Sequence, residues 1–581
     1  MIDAERRGEV LAAADLAERG LEEYPDDVAL QYRSVLALAR AGSTAQAATR
    51  FGAYSLGELD DAEVQALGAR IAKDVALGAD GLERARLALE SANRYAEIFA
   101  RTGAYYPGVN AATMHLVAGC PGASRTIARR VLDALVENGE GSYYAIATEA
   151  EARLLLGDID GARAALERAA KLAHDDYGAV ATTRRQLRLV SAYLDLEPRL
   201  IDVLAGPRVV HYCGHRVSAQ QQGPLTRDMV PVAEAAIRDE LARKPVAYAY
   251  GSLANGADLL WAENLLAAGA ELHVVLPFSR DEFVEASVAD AGPEWVLRFE
   301  RCLSAATDVS YATDDAFLGD DVLYRYGSEL AMGLALLRGR FLEGDVSQLA
   351  LWDGAPARGG AGTAVDIETW RRGGRPVTVV PTAPASPGRH RPKPEPPPRG
   401  RRVVRALLFG DIQGFSKLSD EHLPRFAEHV LGAFAGVFSR HADAIAFRNT
   451  WGDGVYVVLQ DAVAAAACAL ELQDAMATID LKRTGLPSHL GLRLGAHIGP
   501  VFPLRDPVLE VEAFMGSHVS RTARIEPVTP AGSVYVTEPF AAALELASAQ
   551  YGCDYVGHMP AAKKFGRLRM YRLRRAHRNE M

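Results

Sequence analysis

The stretch Val403-Val404-Arg405-Ala406-Leu407-Leu408-Phe409-Gly410-Asp411-Ile412-Gln413-Gly414-Phe415-Ser416 decides how the C-terminal third of the chain is read. Its opening residues are apolar apart from Arg405, the pattern of a buried strand. Asp411 stands at the end of that strand, before a glycine turn that leads into the helical pattern HLPRFAEHVLGAFAGVFSRHA. A carboxylate so placed can hold a hard cation over phosphates, and the amides of Phe415 and Ser416 can meet the same phosphates. Downstream, AIAFRNTWGDGVYVVL reads as two strands joined by the turn Trp451-Gly452-Asp453-Gly454, a hairpin by composition. Asp411 and Asp453 lie 42 residues apart, room for one helix and a returning strand. Such a path can bring both carboxylates together for two-metal phosphoryl chemistry. Either aspartate alone is an ordinary turn former; the pair in this setting reads as metal ligands.

Upstream lies the run TAPASPGRHRPKPEPPPRG, whose prolines remove backbone donors and fix φ. Residues 382–402 are therefore expected to form an extended, solvated linker, not a nucleic-acid contact. Residues 206–381 carry short β-rich runs (VVHYCGH, VAYAYGSL, ELHVVLPF, PVTVV) alternating with helical stretches, which predicts an α/β parallel sheet of Rossmann-like type. Ligands in such sheets sit beyond the carboxyl ends of the strands. The loop containing Gly251, Ser252, Gly256 and Asp258 follows a strand and opens a helix, so its amides are candidates to cradle an anion. Gly360, Gly362 and Thr363 form a second glycine-rich candidate. His211 and His215 have metal-like spacing but fall on a strand and a loop, which argues against zinc.

Residues 1–200 are helical in pattern throughout, with breaks at Pro25-Asp26-Asp27, Ala41-Gly42 and Gly157-Asp158. Ala47, Ala48, Ala162 and Ala164 are small enough for close helix pairing, as in an α-solenoid of tetratricopeptide type that binds a protein partner. At 581 residues the chain exceeds one core. A net charge of −10 gives no basic excess to recruit nucleic acid. Five scattered cysteines without a CxxC pair suit buried thiols in a reducing compartment. No apolar stretch is long enough for a membrane span; the longest, Ala462 to Leu470, is short and alanine-rich. A cytoplasmic protein is expected.

Residues 403–573 resemble the catalytic domain of class III adenylyl and guanylyl cyclases. The resemblance rests on Phe409-Gly410-Asp411-Ile412-Gln413-Gly414-Phe415-Ser416, Trp451-Gly452-Asp453-Gly454, the core strand LRLGAHIGPV from Leu492, and GSHVSRTARI from Gly516. It implies a ferredoxin-like α/β domain spanning 403–575, paired head to tail in a homodimer. Asp411, Asp453 and the Ile412 carbonyl would bind two Mg²⁺ or Mn²⁺ ions, the substrate being a nucleoside triphosphate. Arg524 would stabilise the transferring phosphorus, and either Lys563 or Lys564 would contact phosphate.

Three positions depart from that pattern. Ser520 replaces the usual asparagine. Asn449 and Ala513 replace the lysine and aspartate that read adenine. The Asn449 amide can donate and accept, suiting a pyrimidine edge, and Trp451 is bulky beside the base. These features resemble the bacterial anti-phage pyrimidine cyclases, against the alternatives of an adenylyl cyclase or a catalytically dead nucleotide-binding scaffold. Two further resemblances concern the upstream regions. Tyr105-Tyr106-Pro107-Gly108-Val109-Asn110-Ala111-Ala112 is similar to the TRAF-binding helical repeats of certain signalling kinases. The two glycine loops with Leu276-Pro277-Phe278 resemble the SLOG nucleotide-binding superfamily.

Overall fold

The computed structural model describes the chain apart from residues 1–3, 6, 8, 139–140, 174–175, 219–222, 358, 383–400, 509, 563–565 and 577–581. The linker expected at 382–402 thus lies almost wholly outside the described residues. The chain forms two compact units. One comprises Met1–Pro207 with Arg340–Gly344 and Asp554–Gly557, the other Arg208–Gly339, Asp345–Cys553 and His558–Met581.

The first unit is helical: α1 (Val10–Glu23), α2 (Val28–Arg40), α3 (Thr44–Ala53), α4 (Ala62–Gly78), α5 (Gly81–Thr102), α6 (Tyr105–Val117), α7 (Pro121–Asn138), α8 (Tyr143–Leu155), α9 (Ile159–Ala173) and α10 (Tyr177–Tyr193). The break before α2 is set by Asp27, whose side chain accepts a hydrogen bond from the Leu30 amide at 2.9 Å, a helix N-cap. Ala47 and Ala162 are fully buried between helices as expected. Ala48 and Ala164 are exposed. Residues one or two positions along a helix turn about 100–200° away, so neither alanine shares the packed stripe.

The second unit holds two sheets. The first is built from β1 (Arg208–Gly214), α11 (Val230–Arg243), β2 (Tyr248–Gly251), α12 (Ala257–Ala267), β3 (Glu271–Leu276), α13 (Arg280–Ser287), α14 (Pro293–Ala305), β4 (Asp308–Tyr311), α15 (Asp321–Leu342), β5 (Asp345–Trp352), α16 (Thr363–Arg372) and β6 (Val377–Pro381). Its strand order is β4-β3-β2-β1-β5-β6, every neighbour parallel. The order reverses between β1 and β5, the place where such sheets open a crevice.

The second sheet contains β7 (Val403–Gln413), β8 (Ile445–Trp451), β9 (Gly454–Leu459), β10 (Gly491–Arg505), β11 (Glu512–Met515), β12 (Ser533–Thr537), β13 (Tyr551–Pro560) and β14 (Arg567–Arg575), in the order β13-β14-β12-β10-β7-β9-β8 with β11 on β10. Between β7 and β8 runs α17 (Leu423–Phe426), continued by a π turn over Ala427–Leu431 into α18 (Gly432–Arg440). The alanine run that came nearest to a membrane segment is α19 (Ala462–Thr478), with Ala465, Ala466 and Ala469 fully buried. Among the described residues no helix is long and apolar enough to cross a membrane.

Candidate active site

β7 is an interior strand of the second sheet, antiparallel to both β10 and β9. Its apolar stretch buries Ala406, Leu407 and Leu408 and carries Asp411 out at the end. In the β8–β9 hairpin, Trp451 pairs with Gly454, leaving Gly452 and Asp453 as a two-residue turn. Gly452 has φ of +66°, which a side chain at that position would resist. Gly410 pairs with Val455, so the turn lands beside Asp411 and the two carboxyl groups hydrogen-bond each other. The strand–helix–strand path expected from the spacing is realised.

A cation faces them. Arg493 on β10 is the cross-strand partner of Asp411 and hydrogen-bonds its carboxylate. The same guanidinium reaches Glu526 at 2.9 Å. Two carboxyl groups therefore share one arginine, and a third, Asp453, bonds to the first of them. Burial, reinforced by the hydrogen bond and charge of Asp411, pushes Asp453 up to about 7. Burial also raises Glu526 to about 7, Arg493 opposing and Asp411 adding. For Asp411, burial acts upward but is outweighed by hydrogen bonds to Asp453 and Arg493, and the net direction is down. Two carboxyls that share a proton form a site with surplus negative charge, and a divalent cation satisfies it better than a proton does. Among the described residues no group of three or more His, Cys, Asp or Glu side chains is arranged to hold a metal. Two carboxylates with the Ile412 carbonyl beside them are hard oxygen donors, a chemistry that would fit Mg²⁺ or Mn²⁺.

Phe415 and Ser416 open the short 3₁₀ turn Phe415–Lys417 after Gly414, at φ of +90°. The Phe415 ring packs 4.9 Å from Phe426, and a Cβ on Gly452 would meet it at 3.7 Å, so this turn adjoins the Asp453 hairpin. Asn449 is exposed on β8, and its own side-chain oxygen accepts from the Thr450 amide at 2.9 Å. Ala513 is buried on β11. Phe447 and Phe514, two strand positions and one from those residues, pack in a single apolar cluster, so β8 and β11 are neighbours. Trp451 is 53% exposed and folds back over Gly454, where a Cβ would come within 2.5 Å of the indole nitrogen. Its ring centre lies 6.2 Å from Phe409.

The helix expected to carry Ser520 and Arg524 is α20 (Ser517–Thr522). It carries only Ser520, which is exposed; Arg524 lies in the turn beyond, half-buried, its carbonyl accepting from the Ala562 amide at 3.1 Å. Lys563 and Lys564 lie outside the described residues.

In the parallel sheet, Gly256 has φ of +89° and starts α12 as expected. The amides around it are already used: Ala254 donates to Asp258, Asn255 to the Ser287 carbonyl, and Ala257 to the His215 carbonyl. A Cβ on Gly256 would strike the Val217 nitrogen at 2.5 Å, so this glycine serves close packing of the loop after β1 on the start of α12. These bonds engage the amides of Ala254, Asn255 and Ala257, and the Ser252 hydroxyl beside them is buried without a hydrogen-bond partner among the described residues. Asp258 is pushed up to about 7 by burial. Gly362, at φ of +111°, caps α16, with Thr363 at its first turn and Gly360 just before it. His211 is buried against Gln348, and His215 bonds Asp353 at 3.0 Å; the two rings are not brought together as a metal site. A surface depression of about 960 Å³ lies on α12 and α14, lined by Glu263, Leu297, Arg298 and Arg301. None of the aspartates of the second sheet lines it.

Sequence reasoning missed Arg493 and Glu526. The signal for Arg493 was an arginine standing in the strand LRLGAHIGPV, apolar but for it and His497; for Glu526 there was none.

Residues 402–575 match the family described as the adenylate and guanylate cyclase catalytic domain, and residues 9–115 match the Tetratricopeptide Repeats-Sensor family. No curated protein matches the chain. Among solved structures, it is similar to the guanylate cyclase domain of RhGC from Catenaria anguillulae in complex with GTP, at 17% identity and a TM-score of 0.26, covering 30% of this chain and 97% of that one. It is also similar to the adenylyl cyclase CyaB from P. aeruginosa, at 19% identity and a TM-score of 0.28, covering 31% and 98%. Residues 402–575 form a class III adenylate/guanylate cyclase catalytic domain, and the chain is a nucleotide cyclase.

Proposed function

We propose that this chain converts a pyrimidine nucleoside triphosphate, UTP or CTP, into its 3′,5′-cyclic nucleotide and pyrophosphate. The observation that carries the chemistry is the Asp411–Asp453 carboxyl pair, held in contact by β7 and the hairpin turn. Two Mg²⁺ or Mn²⁺ ions bound there would acidify the ribose 3′-hydroxyl and neutralise the triphosphate. Asp411, Asp453 and the Ile412 carbonyl hold the cations, while the amides of Phe415 and Ser416 orient phosphate oxygens. Arg524 stabilises charge on the α-phosphorus, Ser520 reaches the ribose, and Lys563 or Lys564 meets the phosphates.

The two halves of each site come from different subunits of a head-to-tail homodimer. Exposed apolar side chains on the hairpins, Trp451, Val508, Val511 and Met515, support that pairing. The helical repeats bind a protein partner, and the parallel sheet acts as a nucleotide-sensing module. An outlet in anti-phage signalling fits that arrangement.

The base assignment rests on Asn449 and Ala513, which lack the cation and the carboxylate that read adenine. One observation favours an adenylyl cyclase of relaxed recognition instead: the Asn449 oxygen is engaged by its own neighbour's amide. Incubating the chain with each ribonucleoside triphosphate and Mn²⁺, with products separated by mass, decides between them. Cyclic UMP or cyclic CMP should form fastest; cyclic AMP as the main product overturns the pyrimidine reading, and no product overturns the catalytic one. A hydrogen-bonding base site should discriminate by about 10⁴-fold, shape alone by about 10- to 200-fold. Mixing inactive Asp453→Ala and Arg524→Ala chains should restore turnover through shared sites.

A further inference from the structure

The segment between β4 and α15 leaves the parallel sheet and grips the cyclase domain at the residues that lead to Arg524. Thr313 Oγ1 lies 3.0 Å from His518 Nε2, and Asp315 accepts a hydrogen bond from the Ser517 hydroxyl at 2.7 Å. Asp314 receives Arg521 at 2.9 Å. Three of the six residues of α20 are thus held from this segment, and the third link, Arg521 to Asp314, faces water at its acidic end. The grip continues inward. His518 Nδ1 meets His497 Nε2 at 2.7 Å, and His497 Nδ1 meets Thr537 Oγ1 at 2.7 Å, the two rings stacked 5.0 Å apart. Both imidazoles are fully buried, and burial holds them neutral, so the chain from Thr537 to Thr313 runs through single shared protons.

The same segment has a second hold. Arg402, 2% exposed at its side chain, forms a two-pronged bond with Asp320 at 2.8 Å on each side and also donates to the Ala316 carbonyl. Arg402 immediately precedes β7, the strand that ends in Asp411. Residues 313–320 therefore touch both the helix before Arg524 and the base of the aspartate strand. Tyr326 on α15 adds a bond from its hydroxyl to the Ile498 carbonyl at 2.9 Å.

We infer that residues 313–320 of the parallel-sheet domain are a positioning element for the cyclase reaction: Thr313, Asp314 and Asp315 set α20, and through it the place of Arg524. The inference rests on the reading of Arg524 as the transition-state arginine. The grip falls on Ser517, His518 and Arg521, leaving Ser520 exposed and Arg524 half-buried, so it orients the helix without covering those two residues. Ser517 and Arg521 are one helical turn apart and share a face, which is why two adjacent aspartates can hold both.

The test uses the full-length chain. Asp314→Ala and Asp315→Ala should each lower kcat about 10- to 100-fold with KM for the nucleotide unchanged, because geometry and not substrate contact is lost. Arg521→Ala should cause the same loss as Asp314→Ala, the double variant should lose no more than either, and the exchange Asp314→Arg with Arg521→Asp should restore most of kcat. Amide hydrogen exchange should speed up in residues 517–525 of Asp314→Ala and recover in the exchanged pair, a readout independent of turnover. Wild-type kcat in both aspartate variants, or losses in Asp314→Ala and Arg521→Ala that multiply independently, overturns the inference. Arg524→Ala is measured alongside: an inactive Arg524→Ala chain with unaffected grip variants sinks the inference alone, whereas a fully active one removes the role of Arg524 and the inference with it.

Discussion

Two clusters of charge, one buried in the helical unit and one half-buried in the cyclase domain, are built differently. In the helical unit, Lys73 donates to Asn110 at 2.9 Å and to Gln186 at 2.5 Å, while Glu151 accepts from Thr113 at 2.5 Å and from Gln186 at 2.7 Å. Burial pushes Lys73 down to about 8 and Glu151 upward. One cation and one anion are joined through an amide that serves both, and the circuit closes. In the cyclase domain, Asp411 and Glu526 share Arg493, Asp453 bonds to Asp411, and two carboxyls are left to divide a proton. A closed circuit is architecture; a surplus of one sign, tolerated beside a turn, marks a place that a ligand completes.

Removing a member of each cluster gives the widest contrast. Asp411→Ala or Asp453→Ala should reduce cyclic nucleotide formation by about a thousandfold or more, with the thermal midpoint unchanged or raised because like-charge crowding is relieved. Glu151→Ala should do the opposite, lowering the midpoint and leaving turnover per folded molecule intact. If Asp453→Ala keeps near-normal turnover, the distinction between the clusters collapses.

The next effect is on stability alone. Lys73→Met leaves the Glu151 carboxylate without its cation and should cost about 3 kcal/mol or more in urea unfolding of the helical unit. Adding Glu151→Leu should recover most of that, since a pair removed together leaves no orphan charge. A double variant no better than the single one would show that the circuit is not closed as described.

The smallest effect is a pH dependence. Asp453 keeps its proton up to about pH 7 in the folded chain, against a usual value of 3.8. The folded state therefore binds more protons across that window, and metal-free stability should fall as pH rises from about 4 to 7. Mg²⁺ should reverse this, stabilising most above pH 7, where the carboxylate is free to accept it. A metal-free melting curve flat across the window contradicts the shared proton.

Much of the catalytic end was legible because it depends on local chemistry: an apolar strand that ends in Asp411, and a turn whose glycines require the hairpin at Asp453. What escaped depends on partners distant in the chain. Arg493 gains its meaning only from the register that sets it opposite Asp411. β4 and β5 were missed, although β5 is the neighbour of β1. Asp308–Tyr311 buries no residue fully, and β5 begins Asp-Val-Ser-Gln, so neither announces itself by apolar run. Arg524 was placed on a helix by resemblance, and that helix stops at Thr522. The bonds from residues 313–320 to α20 span some two hundred positions, beyond any periodic signal.

The roof that Thr313 puts over His518 bears on how the enzyme can be handled. Cutting the chain in the proline-rich run to obtain residues 402–575 alone would uncover a pair of imidazoles kept dry in the intact protein. His518, held down to about 3 by burial and by the charges of Arg521 and Arg402, would return toward the ordinary histidine range once wet. Its folded value lies below its unfolded one in the intact chain, so its share of stability is complete above about pH 6.5 and is lost as pH falls. The excised fragment can instead take up a proton near neutrality, between two rings that have room for only one hydrogen. A minimal catalytic fragment would thus lack the acid-linked stability that His518 gives the intact chain and would instead charge α20 near neutrality, so its pH response would report on the cut surface and not on the enzyme.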